Sequence, residues 1–357
     1  MIKPSRGTEG TVFVQAGRDN PTNTQPAIVL AAEHYNVIAR LLAHKIPVKL
    51  RVNVQTKFYD ADKNSYNVIA DIPGTDPVLK DEVVMLGAHL DSWHTGTGAT
   101  DNADGVAEVM EAFRIIKASG LRPRRTLRLA IWSGEEEGLY GSQHYVTDHL
   151  AGDAHKSERE KMDVYFNIDP GTGPIYGWYM ENNPAAKTMF DAWLDPLKEI
   201  GARMNVMPGI GSTDHLSFAP VGVPGFTTIQ EYAGYDTRLH HTNVDTAERV
   251  TTADMRQASV VLAWFTYSAA METARIPYAA VPAPAASADT GAPAAAGNVR
   301  QSSTGLVQGT LVTSTGAPIP AARVQLRMCR QALWQQRHPV TLPARSDSSW
   351  CRRATTT

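Results

Sequence analysis

The chain has 357 residues, enough for one large α/β domain with smaller segments beside it, and a core of that size is stable without disulfides. Lys and Arg number 34 against 36 Asp and Glu, so the net charge of −2 gives no reason to expect nucleic acid or an anionic membrane as a partner. Both cysteines, Cys329 and Cys351, lie near the carboxyl end, which excludes a disulfide framework or a cysteine-based zinc site from the main body. Any function must therefore come from a local site.

The predicted elements begin with a small α+β unit. "PAIVL" is typical of a short strand, residues 31–45 of an amphipathic helix, and residues 48–58 of a second strand. From residue 65 onward strands alternate with helices. The strands are "NVIADIP", "VVMLGAH", "TLRLAIW", "VYFNID" and "VPGFTTI", and the helices cover residues 106–120, 184–200 and 252–273. This alternation predicts an α/β fold, with a mainly parallel mixed central sheet and helices on both faces.

Beyond residue 275 the composition changes. Residues 276–304 are rich in Ala and Pro and predict a linker. Residues 305–326 have the alternating pattern and the Gly/Pro turn of a β-hairpin, which we interpret as the start of an incomplete sandwich. The Arg-rich remainder, up to residue 357, is interpreted as a non-native tail.

Several familiar catalytic motifs are missing. There is no Gly-x-Ser-x-Gly, no Walker loop, no Gly-x-Gly-x-x-Gly and no His-Glu-x-x-His, which weakens the serine-hydrolase, nucleotide-binding and zincin interpretations. What remains is a set of acids and histidines that mostly follow predicted strands: His89, Asp91, Asp101, the run Glu135 to Glu137, Asp169, His240 and His241. In such sheets, ligands bind beyond the carboxyl ends of the strands.

Zinc explains this set of side chains. Two zinc ions about 3.5 to 4 Å apart need one shared carboxylate and two private ligands each, drawn from imidazole and carboxylate groups. Two histidines and three carboxylates satisfy that demand. A further carboxylate beside a ligand is then needed as general base for the water shared by the two ions.

Six motifs carry a resemblance to a known family. "HLDSW", "TDNADG", "WSGEEEGLYGS", "NIDPG", "GSTDHLSF" and "LHHTNVDT" occur in the order typical of peptidase family M28, the di-zinc aminopeptidases and carboxypeptidases. The resemblance covers residues 65–273 and is greatest to the carboxypeptidase Q branch. It implies the zinc-exopeptidase fold, which is phosphorylase/hydrolase-like.

The resemblance also implies roles for individual residues around two Zn²⁺ ions. Asp101 is the bridging ligand and Glu135 the general base. The private ligands are His89 and Asp169 for one zinc, and Glu136 and His241 for the other. Asp91 is expected to hold the imidazole N–H of His89, and the family pattern predicts a cis peptide between Asp101 and Asn102.

Three further residues remain open between two interpretations. His240 could donate a hydrogen bond to the oxyanion of the reaction or simply line the rim of the site. Asp214 and His215 lie in the motif that approaches the substrate pocket in the family, but Asp214 could instead cap the helix that follows it.

The resemblance also divides the chain. Residues 1–58 resemble the C-terminal remnant of a protease-associated domain, and residues 59–275 resemble the M28 catalytic domain. The chain is therefore interpreted as a fragment that starts at an internal Met. We expect no signal peptide in this chain, which as written would stay in the cytoplasm. Relatives are secreted or periplasmic, so a full-length form is expected to be extracytoplasmic.

The expected function is zinc-dependent hydrolysis of peptide bonds near a free N-terminus, as an aminopeptidase or a dipeptidase. Its partner is a peptide or dipeptide substrate, with neither nucleic acid nor membrane, and a homodimer is one open assembly. Two alternatives stay open: a glutaminyl-cyclase-like acyltransferase with one zinc, and an inactive binding fragment.

Overall fold

The computed structural model describes residues 2–7, 9–15, 28–55, 61, 64–169, 171–232 and 234–278. All of them belong to a compact unit that spans Met1–Ser287. The predicted hairpin, the interpreted non-native tail and all but the first three residues of the predicted linker lie outside the described residues.

A seven-stranded sheet forms the centre of this unit. Its strands are β3 (Val68–Ile72), β4 (Val83–His89), β5 (Thr126–Trp132), β6 (Met162–Asn167), β7 (Thr172–Tyr179), β8 (Met204–Val206) and β9 (Gly225–Glu231), after a separate parallel pair, β1 (Ile2–Pro4) and β2 (Ile28–Leu30). The order across the large sheet is β3-β5-β4-β6-β9-β7-β8. Adjacent strands of this sheet are parallel, except that β3 is antiparallel to β5 and β7 is antiparallel to β9. This confirms the predicted mainly parallel mixed sheet.

Helices cover both faces of the sheet, as predicted. The helices are α1 (Ala32–Ala43), α2 (Asp104–Ala118), α3 (Tyr140–His149), α4 (Lys156–Lys161), α5 (Pro184–Leu194) and α6 (Thr252–Met271). α2, α5 and α6 contribute side chains to one apolar cluster, and α3 contributes to a second cluster. Alternate residues of β4 point into each: Val84 and Leu86 into the first, Val83 and Met85 into the second. All seven residues of β4 are buried, which is why its sequence is an unbroken apolar run.

The predicted strand over residues 48–58 is wrong for the part that the structure describes. Residues 48–55 form no strand, and residues 56–58 lie outside the described residues. Leu50, Val52 and Val54 are more than half exposed, so the alternating apolar pattern has neither a sheet partner nor a core to face.

Strand β7 and helix α3 were not among the predicted elements. The β7 sequence "TGPIYGWY" contains two glycines and a proline, which are unfavourable in strands, yet it pairs antiparallel with β9 through tertiary context. Among the described helices, none has the length and apolar content needed to cross a bilayer.

Candidate metal centre

The predicted site residues follow three adjacent strands and one later turn. β4 ends at His89, β5 ends just before Glu135 and Glu136, and β6 ends two residues before Asp169. His241 follows a helical turn, Tyr235–Leu239, that comes after β9. Because β4, β5 and β6 are parallel neighbours, their carboxyl ends meet at one edge of the sheet.

Asp101 lies at the centre of the group. Its Oδ1 atom is 3.3 Å from His89 Nε2, and its Oδ2 atom is 3.2 Å from His241 Nε2. The peptide bond between Asp101 and Asn102 is cis, which confirms that expectation. Asp245 holds the preceding residue, because its Oδ1 atom accepts bonds from the backbone N–H (2.6 Å) and the hydroxyl (2.8 Å) of Thr100.

Each oxygen of Asp101 faces a different pair of one histidine and one carboxylate, and we call each pair a half-site. Asp169 Oδ2 lies 3.7 Å from His89 Nε2 in the first half-site, and Glu136 Oε2 lies 2.9 Å from His241 Nε2 in the second. Two ligand atoms of one tetrahedral zinc are about 3.3 Å apart. The separations between donor atoms in both half-sites therefore suit a zinc ion.

The distances also separate the ligand candidates from their neighbours. The potential metal-ligand atoms of His89, Glu135 and Asp169 lie within 4.8 Å of one another, as do those of Asp101, His240 and His241. His240 Nε2 is 3.9 Å from Asp101 Oδ2, however, and its side chain is 23% exposed. Glu136 Oε2 lies 2.9 Å from His241 Nε2, and Glu136 is more buried than His240, so the geometry favours Glu136 over His240 as a ligand beside His241.

Several buried nitrogen and oxygen atoms of these residues are suited to binding a cation. His89 Nε2, Asp101 Oδ2 and Glu136 Oε1 are buried and have no hydrogen-bond partner among the described residues. Buried polar atoms are almost always satisfied in folded proteins, so three unsatisfied ligand atoms in one place need an explanation. The six residues His89, Asp101, Glu135, Glu136, Asp169 and His241 are each at most 5% exposed. Four carboxylates buried this closely require compensating positive charge, which divalent ions would supply.

The pKa values of these groups reflect that crowding. Burial opposes charge on His89, but the carboxylates of Asp169, Asp101 and Asp91 outweigh it and raise its pKa well above the ordinary value. Burial raises the pKa of Glu136 to about 7. It also raises the pKa of Glu135 well above the ordinary range, with further contributions from the charges of Asp169, Asp214 and Glu136.

Asp91 supports the centre in a way that differs from the predicted contact. His89 Nδ1 donates to the backbone carbonyl of Asp91 at 2.9 Å, whereas the nearest carboxylate oxygen is 3.7 Å away. The carboxylate instead accepts the backbone N–H of Glu135 (3.1 Å) and of Glu136 (3.0 Å). In the neutral ring the proton on Nδ1 leaves the Nε2 lone pair of His89 facing Asp101, which is the state that binds metal.

Asp214 and His215 are buried beside the centre. Asp214 is not exposed at all, its Oδ1 atom accepts the Ser142 hydroxyl at 2.5 Å, and burial raises its pKa to about 7. His215 Nε2 lies 3.1 Å from Glu181 Oε1. Direct contact of either residue with substrate stays a prediction, and the buried positions favour a supporting role.

Three aromatic and basic residues near the centre were not predicted. The ring of Phe13 stacks on His241 at 5.5 Å between centroids, and Trp93 contacts the same ring at 5.8 Å. Arg6 Nη2 lies 3.1 Å from His240 Nδ1. Trp93 belongs to the motif "HLDSW", but no pattern in the sequence marks Arg6 or Phe13, which lie more than 200 positions from their partners.

Comparison with known proteins decides the family. The model of peptidase family M28 matches residues 67–266, more than half of the chain. The chain belongs to peptidase family M28. The resemblance carried by the six motifs is therefore confirmed.

Two relatives show how far the similarity extends. Carboxypeptidase Q of Homo sapiens is 29% identical over 242 residues, which are 68% of this chain and 49% of that protein. Leupeptin-inactivating enzyme 1 of Streptomyces exfoliatus is 34% identical over 169 residues, 47% of this chain and 36% of that protein. The M28 chain thus spans about half the length, or less, of these relatives.

Solved M28 structures share the fold. A peptidase M28 precursor from Shewanella amazonensis SB2B superposes with a TM-score of 0.63 and 26% identity, covering 78% of this chain and 62% of that one. A zinc aminopeptidase from Bacillus subtilis superposes with a TM-score of 0.52 and 22% identity, covering 71% and 61%. The predicted zinc-exopeptidase fold is confirmed.

Proposed function

We propose that this M28 chain is a two-zinc exopeptidase that hydrolyses the peptide bond next to a free amino terminus, as an aminopeptidase or a dipeptidase. The observation that carries the proposal is the position of the Asp101 carboxylate, whose two oxygens face the two half-sites. A bridging carboxylate between two imidazole and carboxylate pairs is the ligand arrangement that two co-catalytic zinc ions require.

The distances support the proposed ligands. His89 and Asp169 would hold one ion and His241 and Glu136 the other, with Asp101 between them. When bound, the two ions polarise the scissile carbonyl and lower the pKa of the attacking water toward about 7. Asp91 orients both parts of this centre, because it fixes the imidazole of His89 and the backbone that carries Glu136.

Glu135 is the proposed general base. It directly precedes the ligand Glu136, and its carboxylate oxygen lies within 4.8 Å of donor atoms of His89 and Asp169. Burial raises its pKa above that of an ordinary glutamate, in the direction that proton uptake requires. Glu135 would take the proton of the water during attack and return it to the leaving amine.

The exopeptidase assignment draws on relatives. Two relatives carry the names of exopeptidases, carboxypeptidase Q and aminopeptidase Y. We propose a peptide or dipeptide as the substrate.

A panel of unblocked amino-acid anilides, unblocked dipeptides and N-acylated peptides separates aminopeptidase, dipeptidase and carboxypeptidase activity. Hydrolysis confined to the N-acylated peptides would contradict the proposed requirement for a free amino terminus.

The substitution Glu135→Gln tests the mechanism. It removes the base but keeps size and hydrogen-bonding shape, so kcat should fall at least about 100-fold while the zinc content is unchanged. Glu137→Gln is the matched control, because Glu137 belongs to the same acidic run but is exposed, and it should leave kcat unchanged. Full turnover by the Glu135→Gln protein would refute the assigned base.

A further inference from the structure

A segment outside the family-matched region contacts the centre. Residues 9–15 run beside the turn that carries His241, where Phe13 bridges to Thr242 and the N–H of Val14 donates to the carbonyl of His241 at 2.9 Å. The family model begins at residue 67. The amino-terminal residues are therefore part of the surroundings of the proposed metal centre.

Arg6, which lies just before residues 9–15, contacts His240. Its Nη2 atom lies 3.1 Å from His240 Nδ1, and its Nη1 atom donates to Asp236 Oδ1 at 3.2 Å. The guanidinium also packs 3.7 Å above the centre of the Phe13 ring. These contacts hold a planar donor group against one nitrogen of the imidazole.

The contact defines the tautomer of His240. A guanidinium has five N–H donors and no acceptor, so the nitrogen that it approaches must supply a lone pair. His240 Nδ1 is therefore the acceptor, and the neutral ring carries its proton on Nε2. That atom faces the centre, 3.9 Å from Asp101 Oδ2.

His89 provides the contrast. Its Nδ1 atom donates to a backbone carbonyl, so its Nε2 atom presents a lone pair to the centre. His240 has the opposite arrangement and presents an N–H. The two histidines consequently suit different tasks, metal binding for His89 and hydrogen-bond donation for His240.

One neighbouring group would favour the other tautomer. Asp236 Oδ1 lies 3.8 Å from His240 Nδ1 and could accept a proton there, but at that distance it makes no hydrogen bond. Arg6 stands between the two side chains and donates to both. Without Arg6, Asp236 would be the nearest charged partner of Nδ1.

We propose that Arg6 is a positioning residue that fixes His240 as an Nε2–H donor directed into the metal centre. There the N–H stabilises the negative charge that develops on the carbonyl oxygen during attack, a role that rests on the proposed peptidase function. The same proton removes the Nε2 lone pair of His240, so His240 does not compete with His241 for zinc.

Histidine NMR tests the tautomer independently of activity. The full zinc-loaded chain is labelled with ¹⁵N-histidine, and the ring signals of His240 are identified by their loss in His240→Gln. We expect the Nε2–H tautomer in the wild-type chain and in Arg6→Lys, which keeps a donor-only group. Arg6→Met should shift His240 to the Nδ1–H tautomer, because Asp236 is then the remaining partner.

The matched control is Arg238→Met. Arg238 pairs with Glu9 at 2.7 Å and so joins the amino-terminal residues to the same helical turn through a different ion pair. It should leave the tautomer unchanged. An Nδ1–H or zinc-bound His240 in the wild-type chain, or an unchanged spectrum in Arg6→Met, would overturn the proposal. If Arg6→Met fails to fold, Arg6→Gln, whose amide can accept from Nδ1–H, replaces it and should lose the pure Nε2–H tautomer.

Kinetics test the donor role separately. Arg6→Met should lower kcat by about 10- to 100-fold with KM and zinc content unchanged. Arg238→Met should leave kcat, KM and zinc content unchanged. A tautomer shift without a fall in kcat would overturn the donor role of His240 while keeping the positioning by Arg6. A wild-type chain without peptidase activity would refute the proposed function, and the NMR result would still decide the tautomer.

Discussion

At the scale of single residues, the centre depends on what holds each side chain in place. Asp101 faces both half-sites, while the residue before it is held by Asp245 through two hydrogen bonds. The motif order predicts all five proposed ligands and Glu135, because each lies in a recognisable local motif of the sequence. The local sequence could not specify which atoms of Asp91 make its contacts, since that depends on how the loops after β4 and β5 pack together.

Asp91→Asn tests the support given by the carboxylate. The two backbone N–H groups donate to different oxygens of Asp91, and Asn replaces one of these oxygens with an NH2 donor. One N–H, of Glu135 or of Glu136, therefore loses its partner, at a cost of about 1 to 3 kcal/mol. We expect the catalytic rate to fall by about 10- to 100-fold. The zinc content should stay the same, because His89 is held by the backbone carbonyl, which the variant keeps. Metal analysis beside kinetics checks both, and loss of one zinc with normal turnover would contradict the assignment.

The pKa of His241 predicts how the stability of the metal-free chain varies with pH. Burial opposes charge on this ring, but Asp101 and Glu136 outweigh it and raise its pKa to about 9. An unfolded histidine titrates near 6.5, so above that pH the folded chain keeps a proton that the unfolded chain releases. The stabilisation is complete below about pH 6.5 and is lost as the pH rises to about 9.

Urea unfolding with zinc removed measures this dependence. The midpoint of the wild-type chain, relative to that of His241→Gln, should fall between about pH 6 and about pH 9. Zinc should remove the effect, because a bound imidazole has already lost its proton. A relative midpoint that rises over this interval would show that the sign is wrong.

At the scale of elements, apolar patterning predicted the buried strands and the longer helices. β4 sits between β5 and β6 with both faces covered, so its sequence is continuous and easy to recognise. β7 was missed because its glycines and proline resemble a loop until β9 is placed beside it. The strand predicted over residues 48–58 failed for the opposite reason, since its pattern finds no partner in the described part of the chain.

Arg125→Met tests the buried charge cluster at the opposite ends of the strands. Arg125 precedes β5, is fully buried, and contacts Glu82 at 2.6 Å and Asp163 at 3.4 Å. Removing the guanidinium leaves the buried carboxylate of Asp163 with Arg275, 3.9 Å away, as its ion-pair partner, so the free energy of unfolding should fall by about 3 to 5 kcal/mol. Arg114→Met, which breaks an exposed pair with Glu111, should leave the free energy of unfolding almost unchanged, because solvent screens exposed ion pairs. Equal effects of the two substitutions in urea unfolding would contradict this reasoning.

At the scale of the whole molecule, the centre gathers side chains from segments far apart in the chain. The fold class, the family and the proposed ligands could all be predicted, because strand ends and motif order are local properties of the sequence. Arg6 could not, since it meets His240 across 234 positions and belongs to no motif. The predicted domain boundaries, the extracytoplasmic location and the homodimer stay predictions.

The number of zinc ions per chain is the most direct test of the proposal that Asp101 bridges two zinc ions. After dialysis against zinc and removal of unbound metal, elemental analysis should find about two ions per wild-type chain. His89→Ala and His241→Ala should each retain about one, because each substitution disables one half-site. One ion in the wild-type chain, or two in His241→Ala, would contradict the two-zinc centre.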